Sequence, residues 1–170
     1  QSTHDFGRDL IPAAVVAGQV DAYAFVATGG QPGYWRDVGT LDSYWKAHME
    51  LLDRETDFSL YDPNWPIYTH LRQSPPAQVL SGNQAGVMID SLVSEGCTVD
   101  SATILRSVLA PGVQVGEESM IDHTVTLPDV RIGARCRINR AIIDSGCDIP
   151  PGSVLGEDVA ADAERFTLSE

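Results

Sequence analysis

From Ile104 onward the sequence repeats itself every 17 residues. Ile104, Ile121 and Ile138 align in one column, and Val108, Val125 and Ile142 in a second. Val115, Ile132 and Ile149 make a third, Val113 aligns with Val130, Gly112 with Asp129 and Gly146, and Pro111 with Pro128. A slip of one residue carries the pattern backwards through Met88, Leu92, Cys97 and Val99. A helical repeat needs about 30 or more residues and a propeller blade about 40, so neither fits. A 17-residue unit at about 3.3 Å per residue suffices for one coil of a parallel β-helix with short strands and tight corners. Such coils bury their apolar columns only by stacking, so about four are needed. Small residues such as Ser119, Cys136 and Ser153 suit the corners. The period constrains the fold and is silent on chemistry.

Charge narrows the partners. Of 170 residues, 11 are Lys or Arg and 24 are Asp or Glu, a formal charge of −13. With a pI near 4.5 and a single lysine, Lys46, the chain is not built for nucleic acid or an anionic membrane surface. No run of about 18 apolar residues exists, which excludes a transmembrane helix. No basic segment ahead of an apolar stretch reads as a signal peptide. Cys97, Cys136 and Cys147 lie far apart without a CxxC pair, and read as free thiols in a reducing cytoplasm.

Residues 1–53 read as mixed α/β. Asp9 to Ala17 has apolar residues at helical spacing, with Pro12 early and Gly18 as a stop signal. Val20 to Val26 is a short strand candidate, closed by a Gly29-Gly30-Gln31-Pro32-Gly33 turn. A clearer helix follows: Thr40 caps it, and Leu41, Tyr44, Trp45, His48, Met49 and Leu52 form one stripe. His48 on that stripe is a packed histidine. Residues 54–86 hold four of the ten prolines and no sustained period. Phe58, Leu60, Tyr61, Trp65, Ile67 and Tyr68 are too apolar for a flexible tether, so this stretch is expected to be a packed, extended linker. Residues 87–170 are the β-helix with a C-terminal tail.

Three polar groupings could carry chemistry. Tyr34-Trp35-Arg36-Asp37 places an aromatic ring, a guanidinium and a carboxylate just before a helix N-terminus, which favours anions. Asp37 there suits Mg²⁺, a hard cation that binds carboxylate and phosphate oxygens. Equally, Asp37 can pair with Arg36 while Trp35 only packs. His4-Asp5-Phe6-Gly7-Arg8-Asp9 reads first as a helix-capping segment. His123 falls in a column with Arg106 and Arg140, which reads as an outward polar ladder and not as a catalytic base.

With these residues in view, the chain resembles the bacterial glucose-1-phosphate adenylyltransferase family. The likeness lies in His4-Asp5-Phe6-Gly7-Arg8-Asp9-Leu10-Ile11-Pro12, Tyr34-Trp35-Arg36-Asp37-Val38-Gly39-Thr40 and Leu60-Tyr61-Asp62-Pro63-Asn64-Trp65-Pro66-Ile67. Pro75-Pro76-Ala77, Ser91-Leu92-Val93-Ser94, Leu127-Pro128-Asp129-Val130, Ala141-Ile142-Ile143-Asp144 and Ile149-Pro150 continue it.

The resemblance implies an α+β fragment followed by an all-β part: the tail of a Rossmann-like nucleotidyltransferase domain, then a left-handed parallel β-helix. It implies that Asp37 is a catalytic carboxylate that binds Mg²⁺, with Asp5, Phe6 and Trp35 around the glucose and sugar-nucleotide pocket. It implies ATP and glucose 1-phosphate as substrates, ADP-glucose for glycogen as product, a cytoplasmic homotetramer and anionic metabolite effectors. The family's effector site uses clustered arginines near the tail, of which Arg165 is the candidate here, because Glu164 and Leu168 stand where relatives place basic residues. The family's glycine-rich nucleotide loop, second metal carboxylate and sugar-phosphate lysine have no counterpart in these residues, so the chain is expected to be a fragment at both ends and inactive alone. A non-catalytic regulatory paralogue and a β-helix acyltransferase are the other two readings.

Overall fold

The computed structural model describes residues 3–27, 30–54, 58–70, 72–82 and 85–169. It divides into two compact units, Gln1–Trp35 and Arg36–Glu170.

In the first unit, Asp5 caps a π-helical turn, Phe6–Leu10, by accepting the Arg8 amide at 2.8 Å. The chain continues into α1 (Ile11–Val16), with Pro12 in its first turn, where no N–H is needed. Gly18 follows at φ 65°, the left-handed position that ends many helices. The helix expected over 9–17 therefore forms, with an extra leading turn supplied by the Asp5 cap. The strand expected over 20–26 does not form. Only Val26 pairs, in an isolated antiparallel bridge to Pro32. No other strand is described in this unit to satisfy the amides of residues 20–25. Gly29 of the expected turn lies outside the described residues.

The second unit opens with α2 (Leu41–Glu50). Thr40 caps it as expected, in a reciprocal box: Thr40 Oγ1 accepts the Ser43 amide at 3.1 Å and Ser43 Oγ accepts the Thr40 amide at 3.0 Å. Met49 is buried and Tyr44, Trp45, His48 and Leu52 are half-buried. His48 lies against Tyr44, with ring centroids 4.3 Å apart and Nδ1 2.9 Å from the Tyr44 carbonyl. It is a packed histidine.

The repeat region is an all-parallel β-helix. Its first coil is β1 (Gln78–Leu80), β2 (Val87–Ile89) and β3 (Leu92–Val93), and its second is β4 (Thr98–Asp100), β5 (Thr103–Leu105) and β6 (Val108–Leu109). The third is β7 (Gln114–Val115), β8 (Met120–Asp122) and β9 (Val125–Thr126), and the fourth is β10 (Arg131–Ile132), β11 (Arg137–Asn139) and β12 (Ile142–Ile143). A further partial coil holds β13 (Asp148–Ile149) and β14 (Val154–Leu155). Stacking yields three parallel sheets, β1-β4-β7-β10-β13, β2-β5-β8-β11-β14 and β3-β6-β9-β12. The registers reproduce the sequence columns: Met88, Ile104, Ile121 and Ile138 stack, as do Leu92, Val108, Val125 and Ile142. Val99, Val115, Ile132 and Ile149 form the third column. Ile104, Ile121, Leu109, Val99 and Val113 are fully buried.

The expected boundary at residue 87 is too late. β1 lies inside the stretch assigned to the linker and pairs with β4. The pairing of Gln78 with Thr98 spans 98 − 78 = 20 residues, so the extra residues before β2 break the period and hide the first strand. In the rest of the linker Phe58 is half-buried and lines a cleft with Leu52 and Leu92. Tyr61, Trp65 and Tyr68 are 79%, 76% and 92% exposed, with no cover from the described residues of their own unit.

Each coil turns through residues with positive φ. Asp90, Arg106, His123 and Arg140 mark one corner, and Ser101, Glu118, Arg135 and Gly152 a second. Gly96, Gly112, Asp129 and Gly146 mark the third. There Gly112 sits at φ 78°, a conformation glycine adopts freely, and a Cβ on it would also crowd Asp129 Oδ1 of the next coil at 2.6 Å. Hydroxyls beside the corners tie coils together: Ser91 Oγ accepts the Ser107 amide, Ser107 Oγ the Thr124 amide and Ser119 Oγ the Cys136 amide, at 3.0–3.1 Å. A short helix, α3 (Val159–Ala163), closes the far end with Asp158 as its cap. Buried Asp162 accepts the Gly156 amide at 2.7 Å and pairs with Arg165.

The three cysteines are free. Cys97 and Cys136 are buried, Cys147 half-buried, and burial pushes the Cys97 thiol up from its ordinary range. Thiolate is the reactive form, so Cys147 should be alkylated first in the native protein, with Cys97 and Cys136 reacting only on unfolding. Mass spectrometry of timed iodoacetamide labelling checks this order, and Cys97 reacting ahead of Cys147 would contradict it.

Candidate functional site

The Arg36–Thr40 segment is folded back along α2. Arg36 Nε pairs with Glu50 Oε2 at 2.8 Å, so the Arg36–Asp37 pair that the sequence allowed is not the one formed. Asp37 is exposed, and its Oδ1 accepts the Gly39 amide at 2.9 Å. Gly39 permits that turn, since a Cβ there would lie 3.1 Å from the same oxygen. The carboxylate is thus held by one local bond and no ion pair among the described residues. Such a group can accept a hard cation without first losing a structural partner. Thr40→Ala removes half of the capping box directly behind it and should cost about 1 kcal/mol of stability, read from denaturant unfolding.

Asp5, Phe6 and Trp35 fall in the first unit, Asp37 and Arg165 in the second. Asp5 does cap a helical turn, as its residue type suggested, using Oδ1 on the Arg8 amide. Phe6 and Trp35 present exposed rings, 73% and 69% accessible, as side chains that meet a ligand or another surface would. Arg165 is engaged. Its Nη2 lies 2.8 Å from Asp162 Oδ1, its Nε donates to the Ala161 carbonyl at 3.3 Å, and its guanidinium sits 4.9 Å from the Phe166 ring centre. Among the described residues no group of three His, Cys, Asp or Glu side chains gathers as a metal cage.

His123 falls in one column with Arg106 and Arg140 as expected, at a corner of the β-helix, but it does not stand free in a ladder. Its Nδ1 lies 2.7 Å from Asp122 Oδ1, and Trp45 of α2 stacks against its ring with centroids 6.4 Å apart. Trp45 Nε1 donates to the His123 carbonyl at 2.7 Å, and the Arg140 guanidinium lies 5.8 Å from the indole centre. An open cleft of about 470 Å³ is lined by Trp45, Asp122, His123, Asn139 and Arg140. The column Arg106, His123, Arg140 was visible in the period, whereas its contact with α2 had no local signal.

The stacked coils of three short parallel strands define a hexapeptide-type β-helix, preceded by a helix with an exposed carboxylate just ahead of it. The comparisons agree: residues 1–54 match the nucleotidyl transferase family and residues 75–170 the GlmU-like, C-terminal hexapeptide family. The chain belongs to the GlmU-like, C-terminal hexapeptide family. It is 46% identical over 171 residues to a glucose-1-phosphate adenylyltransferase of Methylococcus capsulatus, covering 99% of this chain and 40% of that protein. The corresponding enzymes of Hydrogenovibrio crunogenus and Thiobacillus denitrificans are 45% and 46% identical, over 99% of this chain and 40% and 39% of their own lengths. The chain therefore spans about two fifths of the curated relatives it matches.

Proposed function

We propose that the protein carrying this chain is a glucose-1-phosphate adenylyltransferase, which joins ATP and glucose 1-phosphate into ADP-glucose and pyrophosphate for glycogen synthesis. The observation that carries the reading is 46% identity, over 99% of the chain, to a protein of that name. Asp37 would be one ligand of a catalytic Mg²⁺. A single accessible carboxylate fits, since Mg²⁺ usually keeps several waters and binds one or two carboxylates together with substrate phosphates. Bound there, the ion would neutralise phosphate charge as the sugar phosphate's oxygen displaces pyrophosphate.

The chain's own residues align the reactants. Trp35 and Phe6 would face the sugar, with Asp5 shaping the turn that carries Phe6. No glycine-rich phosphate loop occurs in the 170 residues, so this chain alone should not position ATP. A cytoplasmic homotetramer controlled by anionic metabolites belongs to the same reading. Arg165 shares its charge with the buried Asp162, so weak effector control through this position is expected.

The test is pyrophosphate release from ATP, glucose 1-phosphate and Mg²⁺, measured for the full-length protein and for this chain. Activity of the first and silence of the second support the reading. A full-length protein that assembles but turns nothing over would point instead to a regulatory paralogue.

A further inference from the structure

The −13 chain surrounds most of its arginines with carboxylates: Arg36, Arg72, Arg106, Arg131, Arg137 and Arg165 all have acidic partners. Arg140 has none among the described residues, and lies over the indole of Trp45 instead. Beneath it are the His123 ring and the carbonyl that accepts the indole N–H at 2.7 Å. A guanidinium over an indole is favourable by about 0.5–2 kcal/mol, depending on how dry the contact is. One helix side chain thus meets two successive coils at a single corner. The exit of α2 meets the same corner one coil earlier, where Asp53 Oδ1 lies 3.3 Å from Arg106 Nη2. The helix and the residues that follow it thus touch one column of the β-helix at two places.

The segment leading into α2 carries Asp37. Arg36 reaches Glu50 near the far end of a helix about 15 Å long, and the Thr40–Ser43 box locks the turn between them. The carboxylate is therefore fixed to the helix, and the helix to the β-helix. We propose that the Trp45–His123–Arg140 contact is a positioning device for Asp37, making the β-helix the rigid platform that sets where the metal-binding carboxylate stands. This deepens the adenylyltransferase reading and rests on it. Trp45 touches no reacting atom in this scheme. It acts through α2, and small displacements matter because a misplacement of about 1 Å can cost on the order of 10² in rate.

The experiment combines exchange and kinetics. In the 170-residue chain, Trp45→Ala should raise amide hydrogen exchange over residues 36–43 by about five-fold or more, with protection of the β-helix strands unchanged. In the full-length protein the same variant should lower kcat by about ten-fold and raise the Mg²⁺ requirement, while the KM for glucose 1-phosphate moves less than about two-fold. Trp45→Phe keeps an aromatic ring beside His123 and Arg140 and should recover most of the loss. Arg140→Gln leaves the helix sequence intact and should produce a smaller effect of the same pattern, should Trp45→Ala prevent folding. Unchanged exchange over 36–43 would overturn the mechanical link, and faster exchange with normal turnover would overturn the positioning role. Asp37→Asn is run in parallel. Normal turnover in that variant locates the failure in the role given to Asp37, whereas its loss beside a normal Trp45→Ala locates it in the platform.

Discussion

Asp37→Asn is expected to lower turnover of the full-length protein by about 10²–10⁴ while leaving its unfolding transition in place. The two halves of that result have separate causes. Asparagine keeps a carbonyl oxygen that can accept the Gly39 amide, so the turn ahead of α2 survives. Arg36 is satisfied by Glu50 and loses nothing. What disappears is the negative charge, and with it a ligand for a cation whose role is greatest as phosphate charge reorganises. Turnover measured across Mg²⁺ concentrations, beside a thermal melt of the same sample, reads both. Near-normal turnover at saturating Mg²⁺ would remove Asp37 from the metal site. A large drop in melting temperature would show that the carboxylate is structural.

Ile121→Ala should destabilise the β-helix by about 2–5 kcal/mol, the range for emptying a buried aliphatic site. Ile121 is fully buried in the third coil, between Ile104 of the second and Ile138 of the fourth. Short strands held by parallel pairing cannot slide inward to fill the space without breaking hydrogen bonds in two ladders. A coiled array is held by contacts between neighbouring repeats, so weakening the middle interface separates the coils on either side of it. Denaturant unfolding should show a lower midpoint, and hydrogen exchange should show the loss spreading over β5, β8 and β11. A change below about 1 kcal/mol would mean that the column collapses freely and the coils are not closely packed.

Much of this architecture could be read from spacing. Ile104, Ile121 and Ile138 stack because the chain returns to the same face after a constant number of residues, and a constant number is visible in a string of letters. Thr40 and Ser43 form their box because both partners lie within one helical turn. The first coil was harder, since three additional residues ahead of β2 erase the period while leaving the pairing of Val79 with Val99 intact. The aromatic linker is a different case. Apolar side chains such as Tyr61 and Trp65 indicate that a surface is to be covered, and the described residues of their own unit leave both exposed.

The candidate site divides along the same line. Its chemical types, a carboxylate and exposed aromatic rings beside a helix start, are local facts about Trp35, Asp37 and Thr40. Which partner each group takes is not. Arg36 could have taken the neighbouring Asp37 but bonds Glu50, 14 residues away, because the segment doubles back along α2. Trp45 could have packed anywhere on an apolar stripe but donates to the carbonyl of His123, 78 residues away. Periodicity and capping depend on separations along the chain, which the order of residues sets before any folding. The position of α2 on one corner of the β-helix depends on separations in space, and these exist only once the coils have stacked into a surface on which an indole can dock.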